Sequence, residues 1–328
     1  MTKLRLISIV AISLVLIASS FVAFELFTVR DSTERLVKVQ AGDNAGVIGD
    51  KLKREGIVRS SSAFRMLAKL RGADRSLKPG TYVFGGHSNL WNTVSRLAAG
   101  HSENIRITFP EGLSMHLTFL RIADSGLADY QSLQAAATDT SLVRRLTGYP
   151  LASLEGFLYP ETYLFPISSS PDSILALMTQ EFFRKTARAG IDIWQIDDFY
   201  RKLILASIVE KEAGNSAERP IIAGVFDRRM RLGMPLQSCP TVDYILEKQG
   251  IRRAVLTNAD TRIPSPYNTY QNPGLPPTPI SNPQVESILA ALKPATHNYL
   301  YFFADNQGNN VFSASYEEHQ RLQRRMRL

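Results

Sequence analysis

Apolar and polar positions change period several times along the chain, and each change marks an element. Leu36-Val37-Lys38-Val39 reads as a strand, and Ala41-Gly42-Asp43-Asn44 as a turn ending in a helix cap. Val47, Ile48, Leu52 and Ile57 recur at the spacing of a short amphipathic helix stopped near Gly56. Ser60 to Ser62 can cap a second helix with Phe64, Leu67, Ala68 and Leu70 on its apolar face. "LKPGTYVF", Leu77 to Phe84, is a turn followed by a strand, so a strand, two helices and a strand form a small module. Beyond it the pattern predicts a helix over Trp91–Ala99, a strand and turn in "NIRITFPEG", a helix over Ser114–Ala123 and a helical stretch over Tyr130–Arg145. "LEGFLYPETYLFP", Leu154 to Pro166, reads as an aromatic-rich loop, and Phe199–Ala213 and Ile221–Arg231 as helices. A polar loop is expected over Gln237–Thr241. The end of the chain reads as a strand, a turn at Asn306-Gln307-Gly308, a second strand and a helix. No internal repeat or low-complexity tract interrupts this order.

The N-terminus follows another rule. From Leu6 to Phe24 no residue is charged, and as a helix this run spans roughly 28 Å, close to a bilayer's hydrocarbon core. Lys3 and Arg5 precede it, so the positive-inside rule puts residues 1–5 in the cytoplasm and the bulk of the chain outside. Residues 6–26 are expected to be a single-pass anchor in the cytoplasmic (inner) membrane. The small residues Ala18-Ser19-Ser20 keep a cleaved signal peptide open as the alternative, although the apolar run continues through Phe21, Val22 and Phe24.

Composition narrows the class. The 328 residues are 44% hydrophobic and 21% charged, as expected of a globular protein with a sizeable core. The net charge of +8 suits an acidic partner. Lys and Arg are dispersed rather than blocked, which argues against nucleic acid as that partner. Cys239 is the only cysteine, which excludes an intrachain disulfide and a multi-cysteine metal site; no metal and no cofactor is expected.

The chemistry question centres on "LILASIVEKEAGNSAERP", Leu203 to Pro220, where Glu210 and Glu212 end a helix-forming run. At about 100° per residue, Leu205, Ile208 and Val209 fall within about 60° of Glu212, while Glu210 lies near 160° beside Leu203, Ala206 and Ser207. Glu212 therefore extends the bulkier apolar stripe. A carboxyl there loses hydration, its pKa rises, and it can act as a general acid near neutral pH. A cap or ion pair at the helix end is the structural alternative. Downstream, "SPYNTYQNPGLPPTPISNP" has six prolines in 19 residues, which excludes a helix or a central strand. Its Tyr and Asn side chains offer stacking faces and neutral hydrogen bonds suited to sugar rings.

Together "ASIVEKEA", "RLGMPLQSCPTVDY", "SPYNTYQNPGLPPTPISNP" and "YLYFFAD" resemble the endolytic murein transglycosylases, the MltG or YceG-like family. The small N-terminal module resembles the LysM fold, with a packing or spacer role as the alternative. The resemblance implies an α+β chain: an N-terminal transmembrane helix, a LysM-like αβ module with its connecting helix over residues 36–100, and a mixed α+β catalytic domain over 101–328. It implies a lytic transglycosylase that cleaves the β-1,4 bond between N-acetylmuramic acid and N-acetylglucosamine in nascent peptidoglycan without water, leaving a 1,6-anhydro end. Glu212 matches the essential acid of the family's E-K-E motif. Gln237, Asn268, Thr269 and Tyr270 are carried over as substrate-binding residues by motif match, with bracing of their own loop as the alternative. Glu161, from the aromatic segment, is the residue to test as a second carboxylate. Peptidoglycan strands and peptidoglycan synthases are the partners implied. A non-catalytic glycan-binding scaffold and a hydrolytic muramidase remain the rival readings. Two departures from the family pattern stand out: Cys239 occupies the place of an Asp before Pro-Thr-Val, and Asn310 that of a His in the last hairpin.

Overall fold

The computed structural model describes residues 34–85, 89–100 and 103–326, and the expected cytoplasmic tail and anchor over residues 1–26 lie outside them. Among the described residues no helix is long and apolar enough to cross a membrane. The class is mixed α+β, with helices predominating and three two-stranded sheets among the described residues. The chain divides into two units. One reaches to Ile105 and takes in Leu164–Ser168, and the other comprises Arg106–Tyr163 and Ser169–Leu328.

The first unit has β1 (Arg35–Val39), α1 (Ala45–Arg54), α2 (Ser61–Leu70), β2 (Gly80–Phe84) and α3 (Leu90–Ala99). The strands pair antiparallel with Val37 opposite Tyr82, so the period-2 alternation of β1 buries Val37 and Val39. Each helix starts where a side chain accepts an otherwise orphaned N–H: Asn44 for α1, Ser60 for α2 and Asn89 for α3. Their apolar faces meet in one core of Ile48, Leu52, Phe64, Leu67, Val94 and Leu97 under Tyr82 and Phe84. Ile167 N–H donates to Glu103 O at 3.2 Å, which ties the Leu164–Ser168 segment into this unit.

The second unit follows with β3 (Asn104–Thr108), which begins in the first, then α4 (Met115–Asp124), α5 (Tyr130–Ala137), α6 (Thr140–Thr147), β4 (Thr162–Pro166) and α7 (Pro171–Arg188). Next come α8 (Phe199–Glu212), α9 (Arg219–Arg231), α10 (Cys239–Lys248), α11 (Val285–Leu292), β5 (Tyr301–Ala304), β6 (Asn310–Ser313) and α12 (Tyr316–Met326). The helices Pro171–Arg188 and Val285–Leu292 have no counterpart in the sequence reading, and three further elements differ from it. The stretch Tyr130–Arg145 is two helices, because Asp139 accepts from Ser141 and Leu142 N–H and restarts the helix. The aromatic segment ends in β4, held by Phe109 N–H to Glu161 O at 3.0 Å. The expected polar loop Gln237–Thr241 is shorter, because α10 starts at Cys239 with Pro240 in its first turn, where proline's missing N–H costs nothing.

Helix α8 is the axis of this unit. Every residue from Leu203 to Glu210 is buried. It packs on α11, α9 and α10, inside a cluster that includes Phe157, Phe182, Phe199, Ile222, Phe226 and Ile288. One glycine is required here by close approach. Gly156 has φ +92, and a Cβ there would lie 2.6 Å from Pro279 Cγ and 3.3 Å from Leu203 Cδ2. The aromatic segment, the proline-rich loop and α8 thus meet with no room for a side chain.

Candidate active site

The two glutamates at the end of α8 have separate partners, as their angular separation on the helix requires. Glu210 is buried. Its Oε1 accepts from Arg219 Nη2 at 3.1 Å and its Oε2 from Gln284 N–H at 2.8 Å, at the start of α11. Three residues nearer the start of α8, Ser207 Oγ accepts from Ile280 N–H at 3.0 Å and Ser207 O from Ser281 Oγ at 2.9 Å. This face of α8 is a dock for the segment that leads into α11.

Glu212 is the last residue of α8, half-buried, and its Oε1 accepts from Ser238 Oγ at 2.6 Å. Ser238 occupies the N-cap position of α10 yet makes no side-chain cap bond, since its hydroxyl is directed to Glu212. A clamp fixes that direction. Ser238 N–H donates to Thr269 Oγ1 at 3.0 Å, Thr241 Oγ1 donates to Ser238 O at 2.7 Å, and the Thr241 and Thr269 hydroxyls are 2.9 Å apart. Gln237 N–H donates to Thr269 O at 3.1 Å, and Gln237 itself has φ +50, a left-handed conformation that side chains other than glycine and asparagine rarely take. The corner is held in strain, and its product is the hydroxyl facing Glu212.

Electrostatics point the same way. Burial pushes the Glu212 carboxyl up to about 7, and the Asp243 charge on α10 adds to it. The Ser238 hydrogen bond and the Arg229 guanidinium act against the rise. Arg229, on α9, is itself buried and faces carbonyls. It donates to Leu300 O at 2.6 Å and Leu236 O at 2.7 Å, and its guanidinium lies 5.1 Å over the Tyr301 ring. Glu212 therefore sits near the midpoint of its titration at neutral pH, able both to give and to take a proton.

The turn after α8 is tied by Glu218, a buried carboxylate absent from the sequence-based candidates. It accepts from Gly214 N–H, Asn215 Nδ2, Asn310 N–H and Asn310 Nδ2 at 2.8 to 3.1 Å. Burial acts to raise its pKa, but these four bonds outweigh it and hold the group below the usual carboxylate range. Asn310 Nδ2 also donates to Glu212 O at 3.1 Å, so β6 is pinned directly to the C-terminal end of α8. Ser238 and Glu218 have no pattern in a single sequence. Only the glutamates' periodicity was available.

The other candidates divide. Asn268 and Thr269 are buried and brace the proline-rich loop. Asn268 Nδ2 donates to Thr261 O and Ile263 O at 3.1 and 2.8 Å, and its Oδ1 accepts from Tyr270 N–H at 3.0 Å. Gln237 is exposed at the strained corner, and Tyr270 is half-buried with its hydroxyl 3.1 Å from Cys239 Sγ. Burial raises the Tyr270 phenol, and the Glu212 charge contributes, so Tyr270 belongs to the same cluster. Glu161 is elsewhere. It pairs with Lys185 Nζ at 2.6 Å, which holds it below the usual range, and none of its partners is a partner of Glu212. Glu155 also lies apart. It is buried, pushed up to about 8, and accepts from Met115 N–H at 2.8 Å and Tyr244 Oη at 3.0 Å. Among the described residues no group of three or more acidic, His or Cys side chains could hold a metal ion.

One carboxyl poised between two protonation states and hydrogen-bonded to the N-cap serine of α10 has the chemistry that an acid–base site requires. The chain that carries it belongs to the YceG-like family, whose sequence model matches residues 37–325. It is 31% identical over 300 residues to the endolytic murein transglycosylase of Bacillus subtilis (strain 168), covering 86% of this chain and 82% of that protein. The protein of the same name in Streptococcus pneumoniae serotype 2 is 28% identical over 314 residues, 87% of this chain and 57% of that longer one. A 2.6 Å crystal structure of a yceG-like protein from Listeria monocytogenes matches with 30% identity and a TM-score of 0.60, covering 89% of this chain and all of the other.

Proposed function

We propose that the chain is a membrane-anchored endolytic lytic transglycosylase of peptidoglycan, with Glu212 as its acid and base. Protonated Glu212 gives its proton to the glycosidic oxygen between N-acetylmuramic acid and N-acetylglucosamine, and the C1–O bond breaks. The carboxylate left behind takes the proton of the muramyl 6-hydroxyl as O6 closes on C1. The product is a 1,6-anhydro end, and Glu212 is reprotonated for the next turnover. The observation that carries this reading is the single carboxyl with its pKa near 7, because a lyase whose nucleophile belongs to the substrate needs one such group. A hydrolase needs a second carboxylate across the bond. Glu161, held as an ion pair by Lys185, does not meet that need. The names of the relatives support the same substrate. Gln237 and Tyr270 are the substrate-facing residues in this reading, with Asn268 and Thr269 holding their loop in shape. The anchor over residues 6–26 holds the enzyme at the inner membrane, its catalytic part outside, beside peptidoglycan synthases, and the LysM-like module can hold the strand.

The test is digestion of glycan strands by the full chain in detergent, with the new ends identified by mass spectrometry. Anhydro ends are expected from wild type and none from Glu212→Gln. Undiminished anhydro product from the variant would end the assignment of Glu212, and reducing ends without anhydro sugar would mean a muramidase.

A further inference from the structure

A groove of about 590 Å³ in the second unit, a size that suits a small ligand, opens beside the start of α4. Its apolar side is Leu113, Leu117 and Leu120, and three arginines converge on it: Arg106 from β3, Arg121 from α4 and Arg252 from the segment after α10. All three are exposed, and none has a side-chain hydrogen bond or ion pair with another described residue. Asp124 also lines the groove, so its formal charge is two positive. This differs from the chain's other cationic groups near the site. Arg219 is paired with Glu210, and Arg229 donates to backbone carbonyls. Unpaired guanidiniums around an apolar wall suit a ligand with carboxylates and a short aliphatic body, because each planar fork can take a carboxylate with two hydrogen bonds.

The groove shares a frame with Glu212. Gly112 precedes Leu113, and a Cβ at Gly112 would lie 3.4 Å from Lys211 Cδ and 3.7 Å from Glu210 Cγ. Leu113 O accepts from Asn282 N–H at 2.8 Å and Asn282 Nδ2 at 3.0 Å, on the same segment that docks on α8. The wall is thus fixed to the helix whose end presents the acid. In a murein strand, the muramyl residue cleaved at C1 bears on its lactyl group a short peptide with free carboxylates. We infer that the arginine groove takes this anionic peptide stem while the sugar lies at Glu212. The inference rests on the murein-lyase reading for the identity of the ligand.

The experiment uses the full chain in detergent and two fluorescent stem peptides, one with free carboxylates and one with every carboxylate amidated, with binding read by anisotropy. The free-carboxylate peptide is expected to bind about tenfold more tightly than the amidated one and to weaken with salt. The triple variant Arg106→Gln, Arg121→Gln, Arg252→Gln is expected to lose that difference. The same variant should cleave amidase-stripped glycan strands as wild type does and keep the wild-type melting temperature. Equal binding of the two peptides, or an indifferent triple variant, overturns the proposal. So does capture of phosphatidylglycerol vesicles through these arginines with no binding of the stem peptide. If wild type makes no anhydro ends on strands that keep their stems while the peptide still binds through the arginines, the lyase reading fails and the groove stands.

Discussion

Removing one hydroxyl, Ser238→Ala, tests the acid directly. Ser238 is 1% exposed, and its Oγ has Glu212 Oε1 as its one described partner, at 2.6 Å. A hydrogen bond to a charged group contributes about 1.5–3 kcal/mol, and one pKa unit corresponds to about 1.4 kcal/mol. The bond favours the carboxylate over the acid, so its loss raises the Glu212 pKa. The full figure would be one to two units, and water reaching the half-buried carboxyl reduces it to about one. The alkaline limb of the kcat/KM profile, which requires protonated Glu212, should therefore move from about 7 toward about 8. The assay is the initial rate of anhydro-product release on glycan strands across pH, with wild type in parallel. A structural loss would look different. Because Ser238 makes no side-chain cap bond to α10, the melting temperature should stay within about 2 °C of wild type. A midpoint that stays in place or moves to lower pH, with the melting temperature unchanged, refutes the account of how this acid is set.

Other outcomes follow from the same geometry. Asp243→Asn removes a like charge from the neighbourhood of Glu212, leaving Arg229 as the opposing charge, so the same profile should move to lower pH and the difference should shrink in high salt. Glu212→Gln should stabilise the fold above neutrality. A carboxyl near 7 when folded and near 4.5 when unfolded binds more protons in the folded state, so wild-type stability falls as pH rises from about 4.5 to about 7 and then levels. Partial exposure reduces the gain to about 1–2 kcal/mol at pH ~8 and to nothing at pH ~4, measurable by urea unfolding of the two proteins. Glu210→Ala leaves Arg219 without its buried partner and Gln284 N–H without its acceptor, and should lower unfolding free energy by about 3 kcal/mol. Where the variant is folded, its anhydro product should persist, and abolished turnover in a folded protein would put Glu210 in the chemistry.

How far the sequence carried these conclusions varied with the range of the interactions involved. Local rules were enough for the first unit, where Asn44, Ser60 and Asn89 cap helices whose apolar faces form the core. They were also enough to split Glu210 from Glu212, because a helix fixes side-chain direction within one turn. They failed where a partner is distant. The strand character of Thr162–Pro166 depends on backbone groups near Phe109, and no residue in "LEGFLYPETYLFP" reports them. The polar side chains of the proline-rich loop suit either sugar contacts or bracing of their own loop, and the sequence does not choose between the two. In the structure Asn268 donates to the Thr261 and Ile263 carbonyls just before the loop, and Thr269 accepts from Ser238 N–H, so both are spent on backbone groups. The groove arginines left no signal at all, since their convergence comes from three segments far apart in sequence.

The pair that ends α8 shows how one helix can supply both frame and reagent. Glu210 and Glu212 share a side chain, a helix and nearly a position. Glu210 meets an arginine and a backbone N–H, two donors that hold it in the frame. Glu212 is desolvated by burial and meets one neutral hydroxyl, so its charge is poorly compensated and its pKa rises. Were Arg219 on the Glu212 side, that carboxyl would be a permanent anion and useless as an acid. The acid proposed at Glu212 therefore rests on what its neighbours withhold. Ser238 provides enough stabilisation to keep the carboxylate accessible, while the surrounding burial keeps the proton within reach.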